Sequence, residues 1–209
     1  IVDHITAEQS KIIIKTQSFL QRLSQSPILL SPESPQCSEF LANALHLTDY
    51  YVNLGAPNAD GQLLCNAVPL NEVVNVADRP YIQQAIANRE FSIGHFQQDR
   101  AAQMTSINFA YPIINADNDQ VVGASVAVVS LDWWSQQLDQ SNLSKNSLAY
   151  ITDAKDRIIA VYPENKKLLG LYLKDVQGFP KSVLDQETKI IEDKSGALRI
   201  FVSRTLITL

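Results

Sequence analysis

The chain has 209 residues, 45% of them hydrophobic, and its 17 Lys and Arg against 22 Asp and Glu leave a formal net charge of −5. That composition suits a folded body of one large or two small domains and excludes disorder for most of the chain. The acidic balance argues against a surface that must gather nucleic acid in a concentrated basic field.

Charge is unevenly spread. Residues 1–140 carry 6 Lys/Arg and 14 Asp/Glu, a net −8, while residues 141–209 carry 11 and 8, a net +3. Two modules account for this, the second nearer an anionic surface such as lipid headgroups, or the difference is ordinary variation in solvated charge. The longest apolar run, VVGASVAVVSL, is strand-sized and broken by Gly and Ser, so the sequence contains no membrane-spanning stretch of about 18 residues. It begins IVDHI and stops in LRIFVSRTLITL, and both ends read as cut from a longer protein.

Residues 1 to about 30 read as a helix, with Ile5, Ile12, Phe19 and Leu23 on one stripe and Ile13 and Leu20 beside it. Such a stripe seals a domain or pairs two chains. Pro27, Pro32 and Pro35 then break the pattern, and a short helix follows with Phe40, Leu41, Ala44 and Leu45 on its apolar face. YYVNL, the turn APNADG and QLLCNAV predict a hairpin, with Gly61 supplying positive φ. Similar phrases recur at Ala110–Val122 and at Leu148–Val161.

Asp78–Asn88 predicts a helix, Phe91–Phe96 a short strand and Gln97–Gln103 a polar turn. From Ser106 the alternation is clean, with Ile107, Phe109, Tyr111 and Ile113 facing one way and Ser106, Asn108 and Ala110 the other. Val121–Val129 pairs beside it as an inner strand, and Leu131, Trp133, Trp134 and Leu138 begin an exit helix. SNLSKNS marks a boundary. The third hairpin, a basic turn at PENKK, a helix near Pro180–Glu192 and a strand at Ala197–Ser203 complete the chain. This is an α+β order without βαβ crossovers, which speaks against a Rossmann fold.

Catalytic patterns are missing from the sequence. His4, His46 and His95 are scattered without metal spacing, and there is no G-x-S-x-G, P-loop or G-x-G-x-x-G. The turns NADGQ and NADND lack the ligand spacing of a calcium loop and read as Asn/Asp turn chemistry. Cys37 and Cys65 also lack metal spacing, so they are either two buried thiols or a pair closing a loop.

A binding pocket remains. Arg79 offers a guanidinium fork and Tyr81 a ring and a hydroxyl, while Phe96, Asn108 and Tyr111 lie on elements expected to face the same helix. The purely structural reading has Asp78 capping the helix, Pro80 stiffening its first turn, Tyr81 in the core and Arg79 paired with Asp99.

The phrases QCSEFLANAL, YYVNLGAPNADGQLLCNA, DRPYIQQAIANREFSIGHF, INFAYPIINADNDQVVGASVAVVSLDWWSQQL and AYITDAKDRIIAVYPENKKLLG together resemble the double Cache sensor domain. That family is the extracytoplasmic part of bacterial transmembrane receptors, and the resemblance covers nearly the whole chain. It implies a long N-terminal helix and two PAS-like modules, each with a central antiparallel sheet, the second smaller or truncated. Residues 1–36 would be a stalk or dimerisation helix with its connector, 37–140 the membrane-distal module and 141–209 the membrane-proximal one. A subgroup's cysteine positions match Cys37 and Cys65, which implies a disulfide in an oxidising periplasm. Flanking transmembrane segments in an inner-membrane receptor are implied as well; the stripe of the N-terminal helix admits a homodimer, and charge and spacing lead to the expectation of no cofactor, metal or nucleic acid.

The resemblance places the pocket between the sheet and the helix that DRPY begins and adds Asp99, so the expected ligand set is Arg79, Tyr81, Phe96, Asp99, Asn108 and Tyr111. Its amino-acid-binding members carry Arg-x-Trp-Tyr, and here Arg79 keeps the arginine while Tyr81 and Ile82 replace the aromatic pair. The Asp they place on the late central strand falls at Val128, and the Asp of the preceding loop corresponds to Asp99. An α-ammonium would lose anionic partners, so the expected ligand is a small anionic or neutral metabolite held by Arg79 rather than an amino acid. Output through a histidine kinase or diguanylate cyclase is the leading reading. A ligand-free structural or protein-interaction module is its rival, and an intracellular enzyme comes third.

Overall fold

The computed structural model describes residues 2–177, 179, 188–192 and 198–206. The chain divides into two compact units, residues 15–135 and residues 1–14 with 136–209. Helix α1 (Val2–Ser24) contributes residues to both. It stops short of the expected residue 30 because Pro27 lacks an amide proton and opens a 3-10 turn at Pro27–Leu30. None of the helices among the described residues is long and apolar enough to cross a membrane.

The first unit is built on a six-stranded antiparallel sheet. Its strands are β1 (Asn53–Pro57), β2 (Leu63–Asn66), β3 (Ser92–Ile93), β4 (Gln97–Gln98), β5 (Thr105–Asn115) and β6 (Gln120–Ser130). They run in the order β2-β1-β6-β5-β3, with β4 also on β5. The polar turn expected at Gln97–Gln103 thus begins as a strand, because Gln97 and Gln98 pair with Ser106 and Thr105. Helices α2 (Pro35–Leu45), α3 (Pro80–Asn88) and α4 (Leu131–Asp139) complete the order.

Both faces of the sheet are covered. On one, Tyr81, Ile82 and Ala85 of α3 pack with Ala110, Ala124, Val126 and Val128. On the other, the Ser125 hydroxyl donates to the Leu20 carbonyl of α1, and Tyr51 donates to Thr16 of the same helix. A strand with helices on both sides needs no wet face, so β5 is buried on both parities from Ser106 to Ala110. The α2 helix is tied to β2 by the Cys37–Cys65 disulfide, which realises the pairing implied by the family resemblance.

The second unit is smaller. A hairpin of β7 (Ala149–Thr152) and β8 (Ile158–Tyr162) buries Ile158, Val161 and Leu173 in its own core. The segment 166–175 lies along β8 through bonds such as Gly170 N–H to the Ile158 carbonyl at 2.8 Å. A second hairpin joins β9 (Thr188–Glu192) and β10 (Leu198–Val202). The helix expected near Pro180–Glu192 falls partly outside the described residues, and its end is strand β9. The architecture matches the expected α+β class: a long first helix and two sheet-containing modules, the second smaller.

The Asn/Asp turn reading also holds. Asn58 Oδ1 accepts from the Asp60 and Gln62 amides at 3.1 and 2.8 Å, and Asn115 Oδ1 accepts from Asp117 at 2.9 Å. These carboxamides satisfy turn backbone rather than gathering ligands for a cation.

Candidate functional site

The site lies in the first unit, between the sheet and the start of α3. Gly61, at φ +78°, turns the first hairpin so tightly against the next segment that a Cβ there would meet the Ala77 amide at 2.3 Å. Val76 N–H then bonds the Gly61 carbonyl and Leu63 N–H the Val74 carbonyl, so the segment leading into α3 is pinned beside β2. Arg79 is the N-cap residue and Pro80 the first helical position, where its missing amide costs nothing.

Asp78 does not cap this helix. Arg100 holds its carboxylate through two bonds, Nη1 to Oδ1 at 2.7 Å and Nη2 to Oδ2 at 2.8 Å, and also donates to the Asn75 carbonyl. The Arg100 hydrogen bonds keep the Asp78 carboxyl below the usual carboxylate range. Nor does Arg79 pair with Asp99, since its Nη2 donates to the Gln98 carbonyl at 3.0 Å.

Three of the predicted site residues converge. Asn108 Nδ2 donates to Asp99 Oδ2 at 2.8 Å and lies 3.1 Å from the Tyr81 hydroxyl. The Ser106 hydroxyl donates to Asn108 Oδ1 at 2.6 Å and fixes the amide orientation. Asp99 Oδ1 accepts the Ala101 and Ala102 amides at 3.0 and 2.6 Å, so the carboxylate organises the loop after it. Asn108 is 1%, Tyr81 4% and Asp99 9% exposed. Burial pushes the Tyr81 phenol up to about 12, with the Asn108 hydrogen bond opposing it and the Asp99 charge adding to it.

Tyr81 and Asp99 line a small cavity with Asn53, Gly55, Pro57, Leu63, Asn66, Val76, Ala101, Val126 and Val128. Its volume is about 20 Å³, room for little more than a water, and Ala101 lines both it and an outer cleft of about 180 Å³. Residues 68–72 with Val74 and residues 100–103 line that cleft. Arg79, Phe96 and Tyr111 are not in the cavity wall. The parity of β5 explains Tyr111, which pairs with Ser125 on the sheet face opposite Asn108.

Sequence reasoning missed Asn53 and Asn66. Asn53 Nδ2 donates to Asn66 Oδ1 at 3.0 Å, Asn66 Nδ2 donates to the Val68 carbonyl at 2.6 Å, and Asn53 Oδ1 accepts the Val68 amide at 3.3 Å. Strand register places Asn108, Val128 and Asn53 in one row across β5, β6 and β1, with Asn66 opposite Gly55 in the next. The available signal was the pair of asparagines at the outer ends of the YYVNL and LLCNAV strands, polar residues where a strand buried on both faces has no use for them.

Neither a protein-family model nor a curated protein matches this chain. Solved structures do. The ligand-binding domain of the Pseudomonas fluorescens chemoreceptor CtaA in complex with L-serine superposes with a TM-score of 0.72 at 21% identity, over 94% of this chain and 84% of that one. The amino-acid chemoreceptor PctB of Pseudomonas aeruginosa PAO1, its ligand-binding domain holding L-Arg, gives 0.69 at 17% over 95% and 82%. The sensor domain of the V. cholerae histidine kinase DctB gives 0.68 at 18% over 84% and 69%. The chain therefore has the PAS-like double-module fold of extracytoplasmic sensor domains in chemoreceptors and histidine kinases.

The expectation of a non-amino-acid ligand is corrected by these relatives. CtaA is solved with L-alanine, L-leucine, L-isoleucine and L-valine as well as L-serine. Val128 does remove an acid from the central strand, while Asp99, the residue matched to the family's loop acid, keeps a carboxylate in the cavity wall.

Proposed function

We propose that the chain is a periplasmic sensing module of an inner-membrane receptor, and that its first unit binds an α-amino acid. The observation carrying this is Asp99. Its carboxylate is nine-tenths buried in the cavity wall, and its hydrogen-bond partners are two backbone amides and one neutral carboxamide. A buried carboxylate whose hydrogen bonds come from neutral donors has room for a charged one, and an α-ammonium group supplies it. The amino acids held by CtaA and PctB support that ligand class.

The cavity is nearly closed without ligand, so binding requires the loop at residues 99–103 to lift and reclose. Closure on ligand would shift the sheet and, through the Ser125 to Leu20 contact on its far side, helix α1. That shift would pass to a cytoplasmic kinase or diguanylate cyclase output.

The test is a thermal-shift screen of the twenty standard L-amino acids, followed by calorimetry on any hit. A ligand present at a hundred times its Kd stabilises the folded state by about 2.7 kcal/mol, a readily measured rise in Tm. If none of the twenty shifts the transition, the reading fails and a ligand-free interaction module takes its place.

A further inference from the structure

The wall of the cavity is polar at two ends and apolar between them. One end is Asp99 with Tyr81, backed by Asn108. The other is the Asn53 and Asn66 pair, 2% and 4% exposed. Between them Val126, Val128 and Gly55 form the floor. Asn108 and Asn53 are both Cα partners of Val128, on the strands either side of β6.

Each of the two asparagines has its carboxamide oxygen accepting one hydrogen bond and its nitrogen donating one. Each carboxamide nitrogen carries two protons. Asn53 Nδ2 uses one on Asn66 Oδ1, and Asn66 Nδ2 uses one on the Val68 carbonyl. Each residue therefore keeps one uncommitted donor in the wall of a cavity whose other end is anionic. The guanidinium of Arg79 is absent from that wall and is engaged by the Gln98 carbonyl.

We propose that Asn53 and Asn66 bind the α-carboxylate of the ligand while Asp99 and Tyr81 bind its ammonium, so that carboxylate recognition here uses neutral amide donors and no arginine. The two carboxamides lie next to each other on adjacent strands, joined by the Asn53 Nδ2 to Asn66 Oδ1 bond at 3.0 Å. Two N–H donors also suit the two oxygens of one carboxylate. This inference rests on the amino-acid reading and adds which residues read which end of the ligand.

The experiment compares each amino acid that binds wild type with its decarboxylated amine, by calorimetry, on wild type, Asn53→Asp, Asn53→Ala and Arg79→Ala. Wild type should bind the amino acid at least tenfold more tightly than the amine, about the worth of one hydrogen bond to a charged group. Asn53→Asp keeps the acceptor for the Val68 amide but opposes a carboxylate, so the amino acid should weaken at least tenfold and the amine should not. If that variant fails to fold, Asn53→Ala should still collapse the discrimination between acid and amine. Arg79→Ala should bind the amino acid within about threefold of wild type. Amino-acid binding that survives both Asn53 variants but is lost in Arg79→Ala overturns the inference and leaves the amino-acid reading standing. Wild type that binds none of the twenty overturns both.

Discussion

Asn108 Nδ2 sits 2.8 Å from Asp99 Oδ2 and 3.1 Å from the Tyr81 hydroxyl, so a single amide nitrogen joins the loop carboxylate to α3. It projects from β5, the strand next to the centre of the sheet. Movement of the loop or of the helix is therefore felt at the sheet, which is the coupling a sensing module requires.

Asp99→Asn should abolish amino-acid binding while leaving the unit folded. The variant keeps an oxygen for the Ala101 and Ala102 amides and turns an NH2 toward the Asn108 donor. Losing that one accepted bond costs about 1–2 kcal/mol. Binding should weaken at least a hundredfold, because the ammonium loses its only anionic partner in the cavity wall. Retained affinity in a variant with near-native Tm would place the ammonium elsewhere.

Tyr81 sets an alkaline limit on stability. Its phenol is moved by burial from 10.0 to about 12 in the folded state. The folded value is the higher one, so this contribution is fully present below about pH 10 and is lost as pH rises from 10 toward 12. The loss is of order 2–3 kcal/mol. Tyr51, raised chiefly by burial, steepens the same decline. Tyr81→Phe should cost about 1 kcal/mol at pH 7, through the Asn108 bond, and flatten part of the alkaline slope in urea titrations. An unchanged slope would mean that Tyr81 ionises as easily folded as unfolded.

Much of this arrangement was legible in the sequence, and the failures have physical causes. Alternation from Ser106 to Ile113 assigned the β5 faces correctly, because a two-residue period survives burial on both sides. The same parity excludes Asn108 and Tyr111 from one pocket, a conclusion the sequence already contained. Arg79 could not be oriented beforehand: a long side chain at a helix N-cap turns toward whichever acceptor the fold supplies, here the Gln98 carbonyl of β4. Asn53 and Asn66 come together only through the β1–β2 register, in which a shift at Ala56–Pro57 sets which residues face each other.

The Cys37–Cys65 bridge should be the main covalent support of the first unit. It joins α2 to β2 across a sequence separation of 28. Closing a loop of that length stabilises by roughly 3–4 kcal/mol on the chain-entropy estimate. The Cys37→Ser, Cys65→Ser double variant should lower Tm by about 10 °C, since a protein of this size loses about 2–4 °C per kcal/mol. Asn66 follows Cys65 directly, so amino-acid affinity should fall along with stability. A Tm unchanged by the double variant would show that packing of α2 alone holds β2 in place.

The Asp78–Arg100 pair should govern how fast the cavity opens more than how stable the protein is. Both side chains are part-exposed, 61% and 40%, so solvent screening limits the pair to about 1 kcal/mol or less. Its position matters more than its strength. Arg100 ties the loop whose Ala101 lines both cavity and cleft to the Asn75–Asp78 segment before α3. Because the Asp78 carboxyl is lowered in the folded state, chiefly by its Arg100 hydrogen bond, the tie is complete above about pH 4 and is lost as pH falls through the folded value. Arg100→Ala should leave Tm within a few degrees of wild type. It should also speed hydrogen exchange at the Ala101 and Ala102 amides and raise both association and dissociation rates of a bound amino acid. Raising salt should accelerate exchange in wild type toward the variant's rate and change the variant little. Equal exchange rates at these two amides in wild type and Arg100→Ala would show that the loop is held by Asp99 alone and that the surface pair does not gate the cavity.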